Sequence, residues 1–114
     1  MKSFAELSLK ESEKKALQKL KYKLSARFPQ VEIIIYGSKA RGDYDKSSDI
    51  DLLILLEHDV TSAIEKEIIG LAYDIELEHN IVFGLLIESK NSWDSSLSRA
   101  MPIHWNIEKE GVTL

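Results

Sequence analysis

The sequence predicts an α/β domain. Three observations lead there: a helix-periodic stretch at 8–28, two nearly uninterrupted apolar runs in VEIIIYGSKARGDYDKSSDIDLLILL (31–56), and a second helix-periodic stretch at 60–78 that feeds a third apolar run. Strands this apolar belong to sheets covered by helices, so the alternation places helices against a buried sheet. At 114 residues and 44% hydrophobic content, one core and one domain spanning 1–114 are expected.

Composition narrows the function classes. With 15 basic and 19 acidic side chains the formal charge is −4, which argues against direct nucleic-acid binding but not against a nucleotide arriving with its metal. The absence of cysteine excludes a disulfide framework and a cysteine-based zinc site. Nothing at the start reads as a signal peptide, and no apolar run approaches the roughly 18 residues of a membrane helix, so the cytoplasm is expected.

In the first helix, Ser8 and Glu11 have the spacing of a capping box, Ala16, Leu17, Leu20, Leu24 and Phe28 form the apolar stripe, and Pro29 stops it. Its lysines at 10, 14, 15, 19, 21 and 23 read as a solvated face. Val31 to Tyr36 is the first strand and Leu52 to Leu56 completes the second; both are rich enough in Ile and Leu to be central. The second helix carries Val60, Ile64, Ile68, Leu71, Ala72 and Ile75, with Ser62 and Glu65 as its box and His79-Asn80 as its exit. The third strand is Ile81 to Ile87, where Gly84 marks a bulge or a close backbone approach. Ser92 then caps a short helix with Trp93 and Leu97, and Pro102 opens a last helix ending near Glu110 and Gly111. Met101, Ile103, Trp105 and Ile107 either close the open side of the sheet or meet a partner; core closure with a partner surface nearby is favoured. His58, His79 and His104 have no second histidine at ligand spacing and read as packing or surface residues.

The chemistry concentrates between the first two strands. Side chains alternate along a strand, so Asp49 and Asp51 share a face while Ile50 enters the interior. With Cα atoms about 6.6 Å apart, two such charges repel by roughly 2.5 kcal/mol at an effective dielectric near 20. A divalent cation carrying a polyphosphate would offset that repulsion. A strand end fraying into water would also tolerate it, and the pair alone does not decide. Gly37-Ser38, directly after the first strand, allows close ligand approach and supplies a hydroxyl donor. Arg41 stands one turn on, able to meet a phosphate or to pair with Asp43 or Asp45, and Gly42 ends the turn as a left-handed residue. In the loop at 43–48, Tyr44 stacks on a base or covers the loop.

Gly37-Ser38-x-Ala40-Arg41-Gly42, a short polar loop, and Ser48-Asp49-Ile50-Asp51-Leu52 together resemble the signature of the minimal nucleotidyltransferases, small relatives of DNA polymerase beta and the kanamycin nucleotidyltransferases. The likeness covers most of the chain in element order and is most specific at 36–55. It implies a small mixed β-sheet with helices packed on one face and the nucleotide on the other. By the same likeness, Gly37, Ser38, Arg41 and Ser48 bind the nucleotide, and Asp49 and Asp51 are the metal ligands. Asp49, Asp51, Ser38 and Arg41 form the catalytic set, with Mg²⁺ as cofactor and ATP as substrate. Domains of this kind are paired with a separate helical HEPN protein in toxin–antitoxin systems, where the nucleotidyltransferase is the antitoxin and transfers AMP to a tyrosine of its partner.

One departure from that pattern bears on activity. Many relatives place a third carboxylate on the third strand, at a position matching Val82 or Gly84 here, and residues 81–87 contain none. The nearest acids are Glu76, Glu78 and Glu88. The expectation is therefore an Mg²⁺-dependent adenylyltransferase acting on a HEPN partner, with a binding module that regulates its partner by contact as the rival and an RNA-extending enzyme as a weaker third. A homodimer or a hetero-oligomer is compatible with an exposed edge strand or the apolar tail.

Overall fold

Residues 3–42 and 49–114 are described in a computed structural model of the chain. After a 3₁₀ turn at Phe4–Glu6, the elements run α1 (Glu11–Arg27), β1 (Glu32–Tyr36), α2 (Ser38–Arg41), β2 (Ile50–Leu56), α3 (Ser62–His79), β3 (Phe83–Ser89), α4 (Lys90–Trp93), α5 (Ser96–Arg99), α6 (Pro102–Glu110) and β4 (Val112–Thr113). The sheet order is β3-β2-β1-β4, antiparallel around β1 and parallel between β2 and β3, with α3 as the crossover. The mixed sheet and central first two strands agree with the sequence expectation. The two-residue β4 is an addition, too short to leave a pattern.

The alternation of the strands sorts their residues between two layers. Ile33, Ile35, Ile50, Leu52, Ile54 and Leu56 pack toward α1 and α3, against Leu17, Leu20, Leu24, Ile68, Ala72 and Ile75. Each fully buried leucine or isoleucine contributes on the order of 1.5–3 kcal/mol. The opposite face carries Ile34, Leu53, Leu55 and Leu86, covered by Trp93 and Ile107. His104 completes that cover, stacked on Trp93 with ring centroids 4.1 Å apart. The C-terminal apolar residues thus divide: Ile107 closes the sheet, while Met101, Ile103 and Trp105 stay exposed.

The helix starts differ from the capping boxes read in the sequence. The first helix begins at Glu11, and Glu13 Oε1 accepts the N–H of Lys10 at 2.8 Å. Thr61, not Ser62, caps α3 by accepting from the Ile64 amide at 3.2 Å. Ser89 and Ser95 cap α4 and α5, where Ser92 had been expected. In each case a neighbouring hydroxyl or carboxylate meets the free amides equally well, so spacing alone does not choose between them. Asn80, with φ 53°, ends α3 in the left-handed conformation as expected. Among the described residues no helix is long and apolar enough to cross a membrane.

Candidate functional site

At the end of β1 the chain turns through Gly37 (φ 76°, ψ −157°) into the four-residue α2, which Gly42 (φ 86°) terminates in the left-handed region. The antiparallel register sets Tyr36 opposite Asp51, and the parallel register sets Asp51 opposite Gly84. One row across the sheet therefore reads Tyr36, Asp51, Gly84.

The space around Asp51 is made by what its neighbours lack. A Cβ on Gly37 would stand 2.5 Å from Asp51 Oδ2, and one on Gly84 would stand 2.6 Å from Oδ1. Each glycine clears one oxygen of the carboxylate. This accounts for the close approach that the sequence assigns to Gly84. Gly84→Ala should consequently turn the Asp51 side chain aside and lower any activity that depends on this carboxylate at least about tenfold, while far-ultraviolet circular dichroism stays native.

Charge is crowded here. Asp51 is held above the ordinary carboxylate range, first by burial, then by the charge of Asp49; Arg41 opposes that rise and Glu110 adds to it. Tyr36, its neighbour on β1, is also raised, by burial and then by Asp51. Ile50 between the two aspartates is fully buried, as alternation requires. Mg²⁺ binds through one or two carboxylates and leaves its remaining positions to water and substrate phosphates. A pair of crowded carboxylates fits that demand. Among the described residues no group of three or more metal-ligating side chains occurs.

Two arrangements hold the Gly37 turn. Beneath it, Lys39 Nζ forms an ion pair with Glu13 Oε2 of α1 at 2.7 Å, both side chains being almost wholly buried. On its other side Glu110 accepts the Gly37 N–H at 3.0 Å and pairs with Arg41 Nη1. The Gly37 amide is thus committed to Glu110. Lys39, Glu13, Glu110 and Tyr36 all escape sequence reading. A charged residue in a helical or basic stretch carries no mark that distinguishes a buried partner from a solvated one.

The acids nearest the third strand each have a partner of their own. Glu76 accepts the Phe83 amide at 2.8 Å and joins α3 to β3. Glu78 pairs with Lys19 of α1, which holds its carboxyl below the usual range. Glu88 is on the same strand as Gly84 but four residues along, about 13 Å at strand rise, and accepts from the Ser92 hydroxyl at 3.4 Å. The expected nucleotide-binding Ser48, with Asp43, Tyr44 and Asp45, lies outside the described residues.

Residues 17–109 match the nucleotidyltransferase domain family. Among curated relatives, a candidate protein adenylyltransferase of Methanocaldococcus jannaschii, MJ0604, is 32% identical over 90% of this chain and 98% of its own length. A second from the same organism, MJ0141, also a candidate protein adenylyltransferase, is 40% identical over 51% of this chain. That match spans 59% of the relative. Among solved structures, a toxin–antitoxin crystallised with AMP-PNP superposes with a TM-score of 0.54 at 18% identity, covering 87% of this chain and 69% of the other. At that identity the likeness is one of fold.

Proposed function

This chain belongs to the nucleotidyltransferase domain family, and from that membership we propose that it is an Mg²⁺-dependent protein adenylyltransferase. It transfers AMP from ATP to a hydroxyl of a partner protein, a tyrosine of a HEPN toxin being the acceptor. The observation that carries the reading is the Asp51 carboxylate, given room on both sides by Gly37 and Gly84 and standing beside Asp49. A relative aligned over nearly its whole length supports adenylyl transfer to protein, and the toxin–antitoxin neighbour, alike in fold, is in keeping with a partner protein.

In this mechanism Asp49 and Asp51 would hold Mg²⁺, which would supply Lewis-acid stabilisation of the triphosphate. Ser38 and Arg41 bind the β- and γ-phosphates. The acceptor oxygen attacks the α-phosphorus in line, its bond to that phosphorus forming as the bond to the bridging β-phosphate oxygen breaks and pyrophosphate leaves. Gly84 offers no carboxylate for the acceptor's proton, which passes to water or to a group on the acceptor protein.

Incubation with Mg²⁺ and ATP labelled at the α-phosphate, alone and with the neighbouring gene product, tests the reading. Label is expected on the partner and absent with Asp49→Asn plus Asp51→Asn. The side-chain-free position 84 favours a second reading, a nucleotide-binding module that regulates its partner by contact. Heat protection by Mg-ATP with no label transferred to a tightly bound partner would establish that alternative instead.

A further inference from the structure

The last turn of α6 is pressed against the sheet. A Cβ on Gly111 would lie 2.7 Å from Ile34 Cγ2 and 2.5 Å from the Ile107 carbonyl oxygen, so only glycine lets the helix end lie flush on β1. Immediately afterwards Val112 and Thr113 pair with Ile35 and Ile34. These contacts fix Glu110 between them. Its side chain is 20% exposed, and its carboxylate reaches three ways: to Gly37 N at 3.0 Å, and to Arg41 Nη1 at 3.2 Å from one oxygen and 3.0 Å from the other. One carboxylate thus ties the backbone entering the turn to the guanidinium leaving it.

We propose that Glu110 is the positioning residue of the nucleoside-triphosphate site, holding the Gly37 backbone and Arg41 in one frame before the substrate arrives. The inference rests on the nucleotidyltransferase reading above. An arginine side chain has several rotatable bonds, and the freedom it loses on meeting a phosphate weakens binding unless that freedom is already restricted. Bonds to a carboxylate that is itself anchored on a backbone amide impose the restriction in advance. Glu110 acts through Arg41 and the turn, and is assigned no contact with the reacting atoms.

The test is calorimetric titration of Mg²⁺ with AMP-PNP into wild type, Glu110→Gln, Glu110→Asp, Glu110→Ala, Arg41→Ala and the Glu110→Ala/Arg41→Ala double variant, each with a thermal melt. Glutamine keeps the reach and loses the charge; aspartate keeps the charge and loses the reach. Positioning predicts that glutamine retains affinity within about threefold, and that aspartate and alanine each weaken it about tenfold. The double variant should lose about tenfold as well, because two residues acting as one unit are not additive. Wild-type affinity in Glu110→Asp and Glu110→Ala overturns the proposal, as does a double variant weakened by the product of the single losses, about a hundredfold. If Glu110→Ala fails to fold, the aspartate and glutamine comparison decides alone. Wild type that binds no nucleotide removes the nucleotidyltransferase reading and this one together, whereas binding that ignores Glu110 removes only this one.

Discussion

Asp51→Asn will abolish AMP transfer and raise the melting temperature in the same protein. On the proposed mechanism, loss of one of the two carboxylates that would hold the metal should lower transfer at least about a hundredfold, since a metal ion contributes several kcal/mol of charge stabilisation. The stability gain has a different origin. In the folded chain the Asp51 carboxyl is raised above its ordinary value of 3.8 by burial and by Asp49. Between that value and the raised one, the folded state therefore binds more protons than the unfolded state. By linkage, stability falls as pH rises through that window and stays lower above it. Asparagine removes the loss. The variant should therefore melt above wild type once the pH exceeds that window, by an amount that solvent screening keeps small. Thermal melts from pH 3 to 8 should show the two proteins converging below the ordinary carboxylate range and separating above it. Identical profiles would mean that Asp51 is not crowded as described.

Lys39→Ala should be the most damaging single substitution for the fold itself. It leaves the Glu13 carboxylate, with its side chain 5% exposed, facing an empty space, and breaking such a pair from one side costs about 3–5 kcal/mol. That is a large share of the roughly 5–15 kcal/mol available to a small domain. The urea midpoint should drop accordingly. Lys39→Met combined with Glu13→Leu, by contrast, removes both charges and should lie close to wild type, because a buried pair's attraction is largely offset by its desolvation. Equal losses in single and double variants would show that the pair contributes shape and not charge.

These two residues illustrate where the sequence is legible and where it stops. Asp51 could be placed from spacing alone, because strand alternation sets its face and Gly37-Ser38 sets what it faces. The two long helices were likewise visible through their periodicity and the three long strands as apolar runs, whereas the one short helix expected to carry Trp93 and Leu97 is two, α4 and α5; Gly84 was recognisable as a bulge or a position of close approach. Which group approached it required the β2–β3 register, which pairs positions 33 residues apart and leaves no local trace. Lys39 and Glu13 both stand among other charges, so nothing in the pattern separates them from the solvated lysines of α1. Glu110 sits at a helix end, an ordinary place for a surface acid, and only the pairing of β4 with β1 brings it to the turn. Local chemistry is written locally; the second layer around the site depends on tertiary register.

The bare backbone at position 84 also limits the evolutionary routes open to this protein. An acid introduced at 84 itself would bring its first carbon to 2.6 Å from Asp51 Oδ1, so the Asp51 side chain would have to shift as the acid arrived. On the proposed chemistry that shift disturbs the carboxylate that would hold the metal. An acid at this position therefore requires Asp51 to be repositioned with it. On the proposed chemistry the easier path is for the protein that brings the hydroxyl to supply the base, which would tie this chain to its own partner and restrict exchange with the partners of its relatives.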